Sequence, residues 1–222
     1  MTEPRLPYRD RREAGRVLAR ALHQYHGRSG LLVLALPRGG VAVAIEVARA
    51  LEAPLDVFVV RKLGYPGQEE YAMGAIASGG VRVMNPLPGM DVSADALARV
   101  VAREEAELAR RERLYRGDRA PIDVRGRTVI VVDDGLATGA TMRAAVTALR
   151  QQAPGHLAIA VPVGAPETCR SLRGQADDLV CPAMPEPFRA VGLWYRDFPQ
   201  ATDEEVHELL DEARREHAAV PH

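Results

Sequence analysis

Residues 129–141 read VIVVDDGLATGAT and contain the pattern on which the fold assignment depends. Thr128–Val132 is a run of mostly β-branched residues, which is typical of a buried strand. Asp133 and Asp134 follow this run, and Thr141–Gln152 has helical periodicity. The segment therefore predicts a strand, a tight turn and a helix, with two carboxylates at the edge where open α/β sheets bind ligands.

The turn in this segment is suited to a phosphate. Gly135 and Gly139 allow the backbone to approach an anion closely, and Thr138 and Thr141 can add hydroxyl donors. The N terminus of the following helix favours negative charge. Because carboxylates accept hydrogen bonds, the two aspartates suit sugar hydroxyls or the water shell of Mg²⁺. A phosphorylated sugar with free hydroxyls fits both halves of the segment.

Two other nucleotide-binding motifs are absent from the sequence. A P-loop requires GxxxxGK[ST], and Lys62, the single lysine, follows no such glycine-rich run. The GxGxxG fingerprint of dinucleotide-binding folds is also missing. We therefore favour the phosphorylated-sugar interpretation.

Apolar runs alternate with helical segments along the chain, a pattern that predicts βαβ units and a parallel sheet. A hairpin is expected from Met73–Ala77 and Val81–Asn85, a long charged helix over residues 93–116, and a capped helix over residues 202–218. The parallel strands are expected at Leu31–Leu36, Leu55–Val60, Thr128–Val132, Leu157–Val163 and Leu179–Cys181.

The composition is that of a globular protein. Its 222 residues include 29 basic and 30 acidic side chains, and the net charge of −1 argues against nucleic acid or an anionic membrane as the main partner. The longest apolar run is too short to span a bilayer, and the charged N-terminal segment lacks the apolar core of a signal peptide. Cys169 and Cys181 have no metal-ligand spacing and are expected to be thiols in a reducing compartment. We therefore expect a single cytoplasmic domain over residues 1–222.

The apolar strand, the two aspartates and the run GLATGAT resemble the 5-phosphoribosyl-1-pyrophosphate (PRPP) motif of the type I phosphoribosyltransferases. The resemblance extends over most of residues 31–200. It implies an α/β fold with a parallel five-stranded sheet flanked by helices and a small hood, to which this chain adds the long helix. It also implies Mg²⁺-dependent transfer of phosphoribosyl from PRPP to a nitrogen acceptor, usually a nucleobase, with release of pyrophosphate.

The resemblance implies roles for the residues of the motif. Asp133 and Asp134 would be catalytic, would bind the ribose 2′- and 3′-hydroxyls, and would contact Mg²⁺ mostly through substrate or water. PRPP would lie along the rest of the loop, with its 5′-phosphate held from Leu136 onward, and the residues concerned are Gly135, Leu136, Ala137, Thr138, Gly139, Ala140 and Thr141.

Two further segments resemble the pyrophosphate end of such a site. Arg38, Gly39 and Gly40 follow the first strand, where two glycines can turn backbone N–H groups toward an anion and Arg38 can offer a bidentate fork. Lys62 follows the second predicted strand with Arg61, and its compact ammonium would act in catalysis by stabilising the departing pyrophosphate.

The flexible loop and the hood of the family are expected on either side of the motif. Residues 64–90 would hold the flexible loop, at 64–71, and the hairpin, and the loop would close over the site to exclude water. The hood is expected over residues 181–200, where Trp194, Tyr195 and Asp197 are the candidates for contact with a base. Packing against the C-terminal helix is the other interpretation of these aromatic residues.

One departure from the family pattern narrows the expected reaction. Ala137 stands where hypoxanthine-guanine members have an aspartate that handles the purine N7 proton, so a close copy of that activity is not expected. The acceptor and any general base stay open. The alternative is a PRPP-responsive regulatory or nucleic-acid-binding protein without transferase activity. Many members are dimers, so a homodimer is a further expectation.

Overall fold

Two sheets organise the computed structural model, which describes residues 4–84 and 92–219. Short 3₁₀ helices occur at His23–Tyr25 and Val191–Trp194. The other elements are, in chain order, α1 (Arg11–Ala21), β1 (Leu31–Ala35), α2 (Gly40–Leu51), β2 (Leu55–Val57), β3 (Val60–Tyr65), β4 (Gln68–Ala77), β5 (Val81–Met84), α3 (Ala94–Arg116), β6 (Thr128–Val132), α4 (Ala140–Gln151), β7 (His156–Ala160), α5 (Pro166–Leu172), β8 (Asp178–Val180) and α6 (Asp203–Ala219).

The larger sheet has five parallel strands in the order β2-β1-β6-β7-β8. Its central strands are buried apolar runs apart from the half-buried Thr128 and His156 at the starts of β6 and β7, because helices cover both faces. On one face the core includes Leu18 of α1, Ile45 of α2 and Leu210 of α6, and on the other it includes Met142 of α4 and Leu172 of α5. The predicted α/β fold with a parallel five-stranded sheet flanked by helices is confirmed.

The second sheet corrects the prediction for residues 55–71. The strand expected over Leu55–Val60 ends at Val57, and the chain then enters a three-stranded antiparallel sheet, β3-β4-β5, which we call the antiparallel arm. The prediction of a loop over residues 64–71 is wrong, because these residues form the end of β3, a tight turn and the start of β4. Tyr65 pairs with Gln68 across that turn. Gly67 in that turn has a φ of +80°, which suits glycine.

The hairpin formed by β4 and β5 agrees with the prediction, whereas Asn85 and residues 86–90 of the predicted loop-and-hairpin region lie outside the described residues.

Side-chain caps define where two of the helices begin. The Ser93 hydroxyl accepts a hydrogen bond from the Ala96 N–H at the start of α3. Thr202 and Glu205 exchange side-chain hydrogen bonds with each other's backbone N–H at the start of α6, as a capping box does. Cys169 is a buried free thiol and Cys181 a half-buried one. Within the described ranges, no helix is both long and apolar enough to cross a membrane.

Candidate functional site

The carboxyl ends of β1 and β6 form the crevice in which the predicted residues meet. The chain passes from β1 to β2 on one side and from β6 to β7 on the other, so the strand order reverses between these two neighbours. Open α/β sheets bind ligands at such a switch point. Asp133 and Asp134 leave β6 here, and the Asp134 N–H donates to Asp133 Oδ1 over 2.8 Å.

Pro37–Gly40 leaves β1 on the other side of the crevice and touches the acidic pair. A β-carbon at Gly39 would stand 2.0 Å from Asp134 Oδ2, and one at Gly40 would stand 2.8 Å from the Val132 carbonyl oxygen. Both positions therefore need glycine for space. The Pro37–Arg38 peptide bond is cis. The Arg38 side chain is about one-third exposed, and its Nη1 lies 4.0 Å from Asp203 Oδ1.

The loop from Gly135 to Thr141 joins β6 to α4 as predicted. Gly139 has a φ of +72° and immediately precedes α4, so the loop turns sharply into a helix N terminus. The first turn of a helix has N–H groups without intrahelical partners, which suits an anion. Thr138, Ala140 and Thr141 are exposed on this turn.

Leu136 differs from its predicted role as a direct phosphate contact. Its side chain is buried in the core, and its N–H donates to the Val163 carbonyl over 3.0 Å. Its own carbonyl accepts from Ala165 N–H over 2.8 Å. Leu136 thus shapes the loop from below, because neither its side chain nor its N–H is available to a ligand. The Ala137 carbonyl is similarly held by the Thr168 hydroxyl.

Burial raises the pKa of both carboxyl groups of the acidic pair. Desolvation raises the pKa of Asp133 well above its usual value, and the neighbouring Asp134 raises it further. Burial also raises the pKa of Asp134, while Arg11 opposes that rise. Hard oxygen donors of this kind fit Mg²⁺. In the part of the chain that the structure describes, no group of three or more His, Cys, Asp or Glu side chains is placed to hold a metal.

Arg11 is a site residue that the sequence did not reveal. Its Nε donates to Asp134 Oδ2 over 2.8 Å, and its Nη1 donates to the Pro199 carbonyl over 2.7 Å. Arg11 stands among many arginines in the N-terminal region, and nothing in its local pattern separates it from Arg9, Arg12 or Arg16. Only the packing of α1 beside the crevice identifies it.

The predicted hood segment, residues 181–200, packs directly on the acidic turn. Tyr195 donates its hydroxyl to the Asp134 carbonyl, and its ring lies against Tyr8 and Phe198 with only 6% of the residue exposed. A base has no free ring face on which to stack, so the base-stacking prediction for Tyr195 does not fit this geometry. Burial raises the pKa of the Tyr195 phenol, which keeps the donor protonated.

The other two base-binding candidates have different surroundings. Trp194 is half-buried beside Phe188, with ring centroids 6.0 Å apart, and its buried Nε1 has no hydrogen-bond partner among the described residues. Asp197 is exposed, and its N–H donates to the Arg9 carbonyl over 2.9 Å. Asp197 lines a cavity of about 420 Å³ together with Arg11 and Arg38. Both residues thus stay candidates.

Arg61 and Lys62 lie inside β3 and not at the end of a strand of the parallel sheet, which corrects the prediction. Arg61 donates from Nε and Nη2 to Glu104 Oε2 over 2.9 and 2.6 Å, so it fastens the antiparallel arm to α3. Lys62 is exposed on the arm. A continuous run of apolar residues in the sequence does not show whether it forms one strand or two strands separated by a short bend.

Comparison with known proteins gives consistent results. A family model described as a phosphoribosyl transferase domain matches residues 9–188. A Mycobacterium tuberculosis protein named "Putative phosphoribosyl transferase" is 47% identical over 211 residues, which cover 94% of this chain and 47% of that protein. The chain therefore spans about half the length of that relative. A ribose-phosphate pyrophosphokinase of Methanopyrus kandleri is 31% identical over 172 residues, covering 66% of this chain and 59% of that protein.

Among solved structures, the protein TT1426 from Thermus thermophilus is 44% identical, with a TM-score of 0.82 over 93% of this chain and 99% of that one. The fold defines an α/β protein whose candidate site lies at a strand-order reversal in a parallel sheet. The family model covers most of the chain, and the chain belongs to the phosphoribosyl transferase domain family.

Proposed function

We propose that this protein transfers phosphoribosyl from PRPP to a nitrogen acceptor and releases pyrophosphate in a Mg²⁺-dependent reaction. A nucleobase is the first acceptor to test, and the reaction would belong to cytoplasmic nucleotide salvage. The observation that carries the proposal is the crevice between β1 and β6. There the Asp133–Asp134 pair lies against Gly39 and Gly40 and is followed by a helix N terminus. Carboxylates for a sugar thus stand between two backbone surfaces suited to phosphates.

Each part of the crevice has a role in this reaction. The exposed turn from Thr138 to Thr141 binds the 5′-phosphate, Asp133 and Asp134 orient the ribose, and Arg38 binds the pyrophosphate. Departure of pyrophosphate leaves positive charge at the ribosyl centre, which the buried carboxylates stabilise.

Asp133 and Asp134 would hold Mg²⁺ mostly through substrate or water, and the bound ion would neutralise charge on the pyrophosphate.

The proposal also assigns roles to the antiparallel arm and to the hood segment. Lys62 lies on the arm, and movement of the arm tip at residues 65–68 would bring the arm over the pyrophosphate and exclude water. Trp194 and Asp197 stay the candidates for the acceptor side. As in the family, the active form is proposed to be a homodimer.

Pyrophosphate release from Mg²⁺·PRPP, measured against a panel of free bases, tests the proposal. We expect release with one class of base in the wild type, and a loss of about 10²-fold or more in Asp134→Asn, because the variant removes a charge that stabilises the transition state. Asp118→Asn, an exposed carboxylate just beyond α3, is the matched control and should keep the wild-type rate.

Binding of PRPP to the same proteins by calorimetry separates the outcomes. Binding without pyrophosphate release from any base would contradict a nucleobase as the acceptor and would leave two cases, a PRPP-responsive regulator or a transferase with another nitrogen acceptor. No binding of PRPP would contradict both. Equal rates for the wild type and Asp134→Asn would remove Asp134 from the mechanism.

A further inference from the structure

Arg11 lies in the first turn of α1 and reaches a carboxylate that is 123 residues away in the sequence. The Arg11 Nε and Asp134 Oδ2 are 2.8 Å apart, and the two side chains are only 12% and 15% exposed. Because the two side chains are largely buried, dissolved salt screens this salt bridge little, and its geometry is well defined. Across the described ranges, Arg11 is the one cation in hydrogen-bond contact with the acidic pair.

The other side of the Arg11 guanidinium is held by the hood segment. Its Nη1 donates to the Pro199 carbonyl over 2.7 Å, and its central carbon lies 3.8 Å above the centroid of the Phe198 ring. Arginine can make such contacts together because its planar fork offers several donors while its face stacks on an aromatic ring. Arg11 therefore joins Asp134 to the hood segment through a single side chain.

The N-terminal segment and the hood segment are themselves paired through the backbone. Tyr8 N–H donates to the Trp194 carbonyl and Arg196 N–H donates to the Tyr8 carbonyl, each over 2.8 Å. Tyr195 then donates its hydroxyl to the backbone carbonyl of Asp134. The hood segment thus contacts the Asp134 backbone directly through Tyr195, and it is linked to the Asp134 carboxylate indirectly through Arg11 of α1.

The two carboxylate oxygens of Asp134 have different surroundings. Oδ2 is enclosed by Arg11 and by the backbone of Gly39, where no β-carbon could fit. Oδ1 accepts no hydrogen bond from a side chain of the described residues, and besides Arg11 only the backbone N–H of Asp134 itself acts on this carboxylate. The salt bridge therefore sets the rotation of the carboxylate and leaves one oxygen for a ligand.

We propose that Arg11 is a positioning residue: by binding Oδ2 it presents Oδ1 of Asp134 to the ribose hydroxyls, and it does so only while the hood segment is seated. Ribose binding and hood seating are then coupled through one guanidinium. This inference rests on the proposed function, since it takes PRPP as the ligand that Asp134 contacts.

The test compares PRPP and inorganic pyrophosphate as ligands for four proteins by calorimetry: wild type, Arg11→Gln, Arg11→Lys and Arg16→Gln. Arg16 is the matched control, since it lies on the same helix and pairs with Glu46 over 3.4 Å, away from the crevice. Arg11→Gln should weaken PRPP binding about tenfold, the size expected for a lost charged hydrogen bond, and leave pyrophosphate binding unchanged. Arg11→Lys should recover part of the affinity because it keeps the charge.

A double-mutant cycle tests whether Arg11 acts through Asp134. In the Asp134→Asn background, Arg11→Gln should cause less than a twofold further change in PRPP affinity, because the carboxylate that it positions is already gone. A merely structural role would instead lower the thermal midpoint and weaken both ligands alike.

The outcomes are distinct. Wild-type protein that binds no PRPP overturns the proposed function and this inference together. If the wild type binds PRPP and the PRPP affinities of Arg11→Gln and Arg11→Lys both lie within twofold of the wild-type value, the inference alone is overturned. An equal loss from Arg11→Gln in the wild-type and Asp134→Asn backgrounds also overturns it. If Arg11→Gln does not fold, Arg11→Lys must still weaken PRPP without weakening pyrophosphate.

Discussion

At the scale of single residues, Gly39 shows how space, and not backbone freedom, can require a glycine. Its φ of −59° is open to any residue, but an added β-carbon would stand 2.0 Å from Asp134 Oδ2 and 2.8 Å from Asp134 Cγ. The neighbouring carboxylate is itself held by Arg11 and cannot withdraw without losing that salt bridge. The loop after β1 and the acidic pair after β6 therefore constrain each other.

Gly39→Ala should consequently displace either the loop or Asp134. We expect PRPP affinity to fall at least about tenfold, because misplacement of a positioned group by about 1 Å can cost up to about 10²-fold. Calorimetry with PRPP measures the effect. Gly174→Ala is the control, since a β-carbon there meets nothing within 4 Å. Unchanged affinity in Gly39→Ala would show that the close approach does not matter for binding.

At the scale of elements, α3 attaches the antiparallel arm to the parallel sheet. Arg116, the last residue of α3, donates from Nε to both carboxylate oxygens of Asp56 in β2, over 2.9 and 3.0 Å. The two side chains are 5% and 6% exposed. Further along the same helix, Glu104 accepts from Arg61 of β3. A polar helix is thus held at one end by the sheet and along its length by the arm.

Arg116→Met should destabilise the fold by about 3–5 kcal/mol, because it leaves the Asp56 carboxylate buried without its partner. Urea unfolding followed by circular dichroism measures the loss. Arg119→Met removes an arginine that is 51% exposed, so it should cost less than about 1 kcal/mol. The double variant Asp56→Asn, Arg116→Met should recover part of the stability, and a double variant as unstable as Arg116→Met would contradict the pairing.

At the scale of the whole molecule, arginine–carboxylate pairs connect elements that are distant in the chain. The Asp177 carboxylate, near the start of β8, accepts from Arg150 of α4 over 2.9 and 3.0 Å and from the Leu157 N–H of β7 over 2.7 Å. These contacts, with Arg150 the largest contributor, lower the pKa of Asp177 below its usual value. A carboxyl group whose pKa is lower in the folded state stabilises that state only while it is ionised.

The stabilisation from Asp177 should therefore be complete above its unfolded pKa of about 3.9 and be lost as the pH falls through the lower folded value. Asp177→Asn should unfold at a lower temperature than the wild type at pH 7, and the gap should narrow below about pH 4. Thermal scans across this range measure it, with Asp118→Asn expected to track the wild type throughout. A gap independent of pH would assign the effect to something other than ionisation.

The strand, turn and helix over residues 129–141 could be read from the sequence because their signals are local. β-branched residues, two aspartates and two glycines occur within thirteen consecutive positions, and each acts on the backbone beside it. The caps at Ser93 and Thr202 are local for the same reason. The sequence does not reveal the bend between β2 and β3, because Leu55–Val60 is one continuous apolar run apart from Asp56. The two halves of this run belong to different sheets, but both are apolar, so their composition does not separate them.

Sequence alone thus determined the α/β class of the protein and the strand, turn and helix that carry Asp133 and Asp134, since both follow from periodicity and from contiguous residues. Tertiary structure alone decided which groups that are distant in the chain meet. Arg11 meets Asp134, Tyr195 gives its hydroxyl to the backbone rather than its ring to a base, and Arg61 binds Glu104. Those contacts depend on how helices and loops pack around the sheet, and side-chain pairing across such distances has no periodic signature in the chain.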